Sequence, residues 1–300
     1  MGKILFVKKT PLDIFYKRRI ARTFPAAHGF LMFWLLVKTW RLRMAPSDVY
    51  STLACFLFYI NYYIAIRPGV EMFLPAHHFW SLCVEEHTYI ALSIMALLAR
   101  WTKASPMFLL CGAVGLCGLV TIYLGEAYHW DYFRVYWRSD TRASSIMAGA
   151  IAVCLTSSGI GASKNYFGIE SDWLGLGLLS TGVLCHLDIV PDPVKYSIGT
   201  AVVAVSIVLI SQHITACSVV FRPLIGLGQV SYSLYLWQQP FYYFKGGMGV
   251  ATAVAGALLF GLGSYFVIER PARRWLNAWW TPDVSLRTGN DGDNHSQPSG

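Results

Sequence analysis

Residues 75–99 read PAHHFWSLCVEEHTYIALSIMALLA. The apolar part, 78–99, is long enough for the ~20 residues that a helix needs to cross hydrocarbon. Yet it carries His78, Ser81, Glu85, Tyr89 and Ser93 at spacings of three or four. That repeat predicts one polar stripe on a helix, with Leu82, Val84 and Leu92 turned elsewhere. Polar groups are costly in lipid and face a cavity or another helix. A carboxylate within reach of an imidazole can orient it, fix its tautomer or stabilise its cation. His78 and Glu85 are therefore candidate catalytic groups, and Ser81 and Tyr89 candidate substrate contacts. The other reading is a helix entering at the interface, with Trp80 as anchor and the carboxylates capping its first turn.

The rest of the chain has the same character. Up to nine apolar stretches run roughly over 24–40, 50–66, 78–99, 107–124, 143–157, 173–190, 196–214, 229–245 and 248–268. This predicts an all-α, polytopic integral membrane protein with eight or nine transmembrane helices. The chain is 55% hydrophobic and 13% charged, against about 25% charged in an ordinary soluble protein. Its net charge of +8 sits in short clusters between apolar stretches, which fits cytoplasmic loops and speaks against nucleic acid as a partner. Residues 1–23, with Lys3, Lys8, Lys9, Lys17, Arg18, Arg19 and Arg22, form a basic cytoplasmic segment. Residues 24–275 form the membrane domain, and 276–300 a polar tail expected to be disordered. Arg270, Arg273 and Arg274 place the other end inside as well, so the crossings are even in number. One weak stretch, 50–66 or 173–190, is then re-entrant or buried, or two stretches merge. The seven cysteines show no metal or C-x-x-C spacing and read as packing residues.

Three more constellations carry chemistry. In Trp137-Arg-Ser-Asp-Thr-Arg142, Asp140 suits an N-cap and Arg142 stands at a helix mouth. There it can grip a phosphate or carboxylate, or pair with Asp140 at the interface. In 226–240, GLGQVSYSLYLWQQP, the residues Ser231, Tyr235, Gln238 and Tyr242 share a face beside Tyr232 and Gln239. Pro240 is expected to kink or end that helix, and the polar face either lines a cavity or serves as interhelical glue. Ile268-Glu-Arg-Pro-Ala-Arg-Arg274 is expected to stop the last helix and pair charge at the cytoplasmic face.

These segments resemble a known family. WSLCVEEHTY resembles the W-S-L-x-V-E-E-Q-F-Y signature of the membrane acyltransferase 3 family. SDTRASSIMAGAIA is similar to its D-T-R-x-D-S-L-L-x-G-A segment, GQVSYSLYLWQQPF to G-x-I-S-Y-S-L-Y-L-W-H/Q-x-P-F, and VIERPARR to its closing I-E-R-P. FYKRRIARTFPA resembles R-R-x-x-R-I-x-P, and the Asn61-Tyr62 pair also fits. The resemblance implies an O-acyltransferase of the bacterial inner membrane. Such a protein moves acetyl or another acyl group from cytoplasmic acyl-CoA onto hydroxyls of a cell-envelope glycan or lipid-linked saccharide. It implies that Glu85 and Arg142 belong to the polar centre, that Tyr232 and Tyr235 line it, and that Arg18, Arg19 and Arg22 meet coenzyme A phosphates. No permanently bound cofactor is expected.

The departures are equally specific. The family opens with an R-G-x-A-x-x-x-V-x-x-x-H helix whose His is the base, and this sequence shows no such pattern, as if about two helices were missing. His87-Thr88 replaces Gln-Phe, and Ala26-Ala27-His28 replaces the usual Tyr/Trp after Pro. A surrogate base would be His78, His77 or His28. The alternative is an inactive homologue acting as membrane scaffold or partner subunit. A transporter suits the polar stripes less well, because no inverted repeat accompanies them. Acceptor choice is expected to lie in loops such as 125–140 and 158–172.

Overall fold

The computed structural model describes residues 2–41, 43–67, 69–157, 171–214 and 218–280. The tail over 281–300, most of the 158–172 loop and Cys217 lie outside the described residues. Among the described residues every regular element is helical. In chain order they are α1 (Leu12–Arg41), α2 (Pro46–Phe56), α3 (Ile60–Ile66), α4 (Phe79–Thr102), α5 (Pro106–Glu126), α6 (Tyr132–Tyr136) and α7 (Ser139–Ser157). Then follow α8 (Ser171–Leu184), α9 (Asp192–Val194), α10 (Thr200–Ile214), α11 (Ser218–Met248), α12 (Val250–Ser264) and α13 (Arg270–Trp280). Wider π turns occupy Lys3–Val7, Lys195–Gly199 and Tyr265–Glu269.

The chain is an all-α membrane protein. Among the described residues four runs are long and apolar enough to cross a bilayer: Leu12–Trp40, Phe79–Thr102, Pro106–Glu126 and Val250–Trp280. The weak stretch at 50–66 divides into α2 and α3, each too short to span. Phe58 makes the break, held at φ 55° in a left-handed conformation that bulky residues rarely adopt. Its ring is buried and lies 6.3 Å from that of Phe79, so packing holds the strained turn in place. The 173–190 stretch yields the 14-residue α8, and 196–214 yields the 15-residue α10 behind a π turn.

Two compact units divide the chain. The first comprises residues 1–12 and 33–229, the second 13–32 and 230–300, so the boundary falls inside α1 and α11. In the first unit α7 packs on α4, α5 and α10, and α8 on α10. The small residues of α7 allow this: Ala143, Ser144, Ala148, Ala150 and Ala152 are all buried. Near the N-terminus a Cβ on Gly2 would stand 3.0 Å from the Ala150 Cα. Arg100, in the last turn of α4, donates to the carbonyls of Leu5 and Thr10 at 3.1 and 3.3 Å.

In the second unit α11 and α12 pack through glycines. A Cβ on Gly261 would meet Leu234 Cδ2 at 2.6 Å and its Cα at 3.0 Å, and one on Gly256 would meet the Phe241 ring at 2.3 Å. Phe30 of α1 and Phe260 of α12 both contact Trp237, at centroid distances of 5.3 and 5.1 Å.

Of two expectations about helix ends, one is narrowed and one corrected. Pro240 does not end its helix: α11 runs on to Met248. Pro25 likewise lies inside α1. A proline breaks a single ladder bond, and neighbouring helices make that tolerable in a membrane protein. Nor does the 268–274 segment stop the last helix. Pro271 has no N–H to give the Val267 carbonyl and its ring crowds that oxygen. The preceding turn instead widens to the π turn Tyr265–Glu269, and the helix continues to Trp280. In α13, Arg270, Arg273, Arg274 and Asn277 fall on one arc and Ala272, Trp275, Leu276 and Trp279 on the opposite one. Trp275 and Trp279 stack 5.8 Å apart and stay largely exposed.

Candidate functional site

In the first unit the polar groups gather where α3, α4 and the α6–α7 turn meet. His78 immediately precedes α4 and is buried at 6% exposure; its carbonyl accepts from the Ser81 hydroxyl at 3.2 Å. One turn further on Glu85 is half-buried, and the Tyr89 hydroxyl donates to its Oε1 at 2.5 Å. Two members of the expected stripe, Glu85 and Tyr89, are thus joined as an i,i+4 hydrogen-bonded pair. Ser93, one turn beyond, is buried.

Arg142 lies in the first turn of α7 with its guanidinium 4.3 Å from the centre of the Tyr136 ring. Tyr136 in turn touches Trp80 and Tyr132, at 5.0 and 5.2 Å. The pairing of Asp140 with Arg142 that the spacing allowed is not what forms. Asp140 takes Arg138 in a two-pronged bridge, Nε to Oδ1 at 2.9 Å and Nη2 to Oδ2 at 2.5 Å. Ser139 already opens α7, which puts Asp140 inside the first turn, facing back to the turn that carries Arg138. Burial alone would lower the pKa of Arg138, but the hydrogen bond and charge of Asp140 outweigh it and raise the value. Arg134 stacks 4.3 Å over Trp130 and its Nε donates to the Ala65 carbonyl at 3.0 Å. His77, beside Trp137 at 5.9 Å, has its pKa lowered by burial.

Deeper in the same unit lies a contact the sequence reading passed over. Asn61 is fully buried and its Nδ2 donates to Ser139 Oγ at 2.8 Å and to the Trp137 carbonyl at 3.2 Å. Ser139 Oγ is 2.7 Å from His87 Nδ1. The Tyr62 ring stands 5.8 Å from the His87 ring. In the sequence His87 stands only as a departure from a motif, and Ser139 only as the residue before Asp-Thr-Arg. Nothing local marks them, because they lie 52 residues apart.

The second unit holds the remaining candidates. The Tyr232 hydroxyl donates to the Thr23 carbonyl at 2.9 Å, and Tyr235 is half-buried. Gln238 is exposed and lines a 420 Å³ groove with Gln239, Tyr242, Lys245, Val250 and Ala253. Arg18 and Arg22 are exposed and one turn apart, whereas Arg19 is buried at 7% exposure. His28 donates from Nδ1 to the Phe24 carbonyl oxygen of its own helix at 2.9 Å, since a backbone carbonyl can only accept. A buried pair was also missed: Ser233 Oγ donates to Glu269 Oε2 at 2.6 Å, at 0% and 1% exposure. Arg22 and Arg273 are the cations acting on that carboxylate.

Comparison with known proteins bears on what such groups do. O-acetyltransferase OatA of Staphylococcus aureus strain NCTC 8325 / PS 47 is 28% identical over 304 aligned residues, covering 89% of this chain and 48% of its own length. SACOL0978 of strain COL, provisionally named an O-acetyltransferase, is 26% identical over 302, covering 88% and 48%. The chain is similar to named O-acetyltransferases. It spans about half the length of the curated relatives it matches. No protein-family model and no solved structure matches it.

Proposed function

We propose that this protein is a multi-pass O-acyltransferase of the bacterial cytoplasmic membrane, moving an acyl group, acetyl first among them, from acyl-CoA to hydroxyls of a cell-envelope glycan. The observation that carries this is its likeness to named O-acetyltransferases over 89% of the chain. The motif-bearing residues support it, since they form polar clusters inside apolar helices, where such groups serve function.

The reaction exchanges a thioester for an ester. It needs a base for the acceptor hydroxyl, donors for the developing oxyanion and a grip on the donor's phosphates. In this reading His78 is the base, Glu85 with Tyr89 orients the polar stripe, and Arg142 stabilises negative charge. Ser81, Tyr232, Tyr235 and Gln238 contact the substrates. Arg18, Arg19 and Arg22 serve the phosphates of acyl-CoA, for which the exposed pair Arg18 and Arg22 is the better suited.

The test is acetyl transfer by this chain in proteoliposomes, with labelled acetyl-CoA and envelope glycan extract. Label appearing in glycan as a base-labile ester is the expected result. Glu85→Gln and Arg142→Lys should each lower the rate about tenfold or more, the lysine lacking the flat guanidinium that stacks on Tyr136. A wild-type chain that neither consumes acetyl-CoA nor labels glycan would sink the proposal.

A further inference from the structure

Ser139 and His87 have the form of a nucleophile and its base. Such a pair needs hydrogen-bond reach and a third group that orients the base. The reach is 2.7 Å from Oγ to Nδ1. Asn61 Nδ2 can only donate, so Ser139 Oγ accepts that bond at 2.8 Å and keeps its own proton for another acceptor. The Phe58 carbonyl is a hydrogen-bonding neighbour of the His87 ring and can only accept. A neutral imidazole holding its proton on Nε2 leaves Nδ1 to receive the serine proton. Phe58 is the residue strained at φ 55°.

The surroundings suit acyl chemistry. Ser139 is the first residue of the 19-residue α7, and the first-turn N–H groups of a helix favour developing negative charge. The Tyr62 hydroxyl has the Ser139 hydroxyl and the Asp140 N–H as hydrogen-bonding neighbours. Asn61 Oδ1 is buried and meets no donor among the described residues, so an acceptor beside the serine stands ready for a substrate N–H or O–H. His87 lies about 12 Å along α4, roughly a third of its ~36 Å length.

We propose that Ser139, with His87 as its base, carries the acyl group between donor and acceptor. This rests on the acyltransferase reading above. In the first half Ser139 Oγ attacks the thioester carbonyl, its proton passes to His87 Nδ1, and the C–S bond breaks. Coenzyme A leaves as a thiolate that takes a proton from water, and Ser139 holds an oxygen ester. In the second half an acceptor hydroxyl attacks that ester and gives its proton to His78. The bond to Ser139 Oγ breaks, Ser139 recovers its proton from His87, and His78 releases its own to water. Donor and acceptor then never need to meet.

The experiment is acid quenching of the full chain in proteoliposomes after exposure to labelled acetyl-CoA without glycan, followed by digestion and mass spectrometry. The expected result is an acetyl ester on the peptide containing Ser139. The ester should be absent in Ser139→Ala and form about 100-fold more slowly in His87→Gln. In Ser139→Cys it should become a thioester cleaved by neutral hydroxylamine, which a merely structural serine would not produce. Thermal unfolding of each variant separates lost chemistry from lost fold. If wild-type protein acetylates glycan while Ser139 stays unlabelled and Ser139→Ala works equally well, this inference is overturned and the acyltransferase reading stands. If wild-type protein neither labels itself nor releases coenzyme A, the acyltransferase reading fails, and the inference with it.

Discussion

At the scale of single residues, the buried polar pairs set the energetics. Glu269 is a carboxylic side chain with 1% exposure, held by the Ser233 hydroxyl. Removing one partner of such a pair costs more than the bond contributes, because the other is left desolvated and under-bonded. Ser233→Ala should therefore destabilise the protein by about 1–3 kcal/mol. Glu269→Gln, which keeps an acceptor for the hydroxyl, should cost less. Thermal unfolding in one detergent ranks the two, and the reverse order would show that the charge itself, acting with Arg22 and Arg273, is what matters. The Glu85–Tyr89 pair was legible from spacing, since residues four apart on a helix share a face. Glu269 was legible only as an interfacial charge, for nothing near it in sequence announces Ser233, 36 residues away.

At the scale of elements, close helix contact depends on missing side chains. Gly261 faces Leu234 at distances no Cβ tolerates, whereas a Cβ on Gly263, two residues on in the same helix, would meet nothing within 4 Å. Gly261→Val should push α12 off α11 and lower stability by about 1–3 kcal/mol, while Gly263→Val should leave it nearly unchanged. Equal effects at the two positions would refute the packing account. Pro271 makes a second element-scale prediction. If its missing N–H and its ring cause the π turn at Tyr265–Glu269, Pro271→Ala should return that turn to α geometry, with slower amide hydrogen exchange over 266–271. Unchanged exchange would place the cause elsewhere in the packing. Helix ends were less legible: Pro240 reads as a kink or an end and the 268–274 segment as a stop, yet both prolines are interior positions because neighbouring structure absorbs one lost bond.

At the scale of the whole molecule, basic residues set the proposed orientation. Lys3, Lys8, Lys9, Lys17, Arg18, Arg19 and Arg22 stand before the apolar part of α1, and Arg270, Arg273 and Arg274 follow that of α12. Cationic flanks stay on the cytoplasmic side. A reporter that fluoresces only in the cytoplasm, fused after residue 300, should be bright, and a periplasm-dependent phosphatase fused there should be inactive. The opposite pattern would invert the assignment of donor and acceptor sides.

The sequence by itself determined the class of this protein: alternating apolar stretches and basic clusters admit a helical membrane chain and little else. It also determined which local segments carry polar stripes, since helical period is a local property. Tertiary structure decided the rest. It split 50–66 at Phe58, gave Asp140 to Arg138, and brought Asn61, His87 and Ser139 together across 52 to 78 residues of chain. The physical reason is that a hydrogen bond is made by proximity in space, and packing alone sets which distant side chains come within 3 Å.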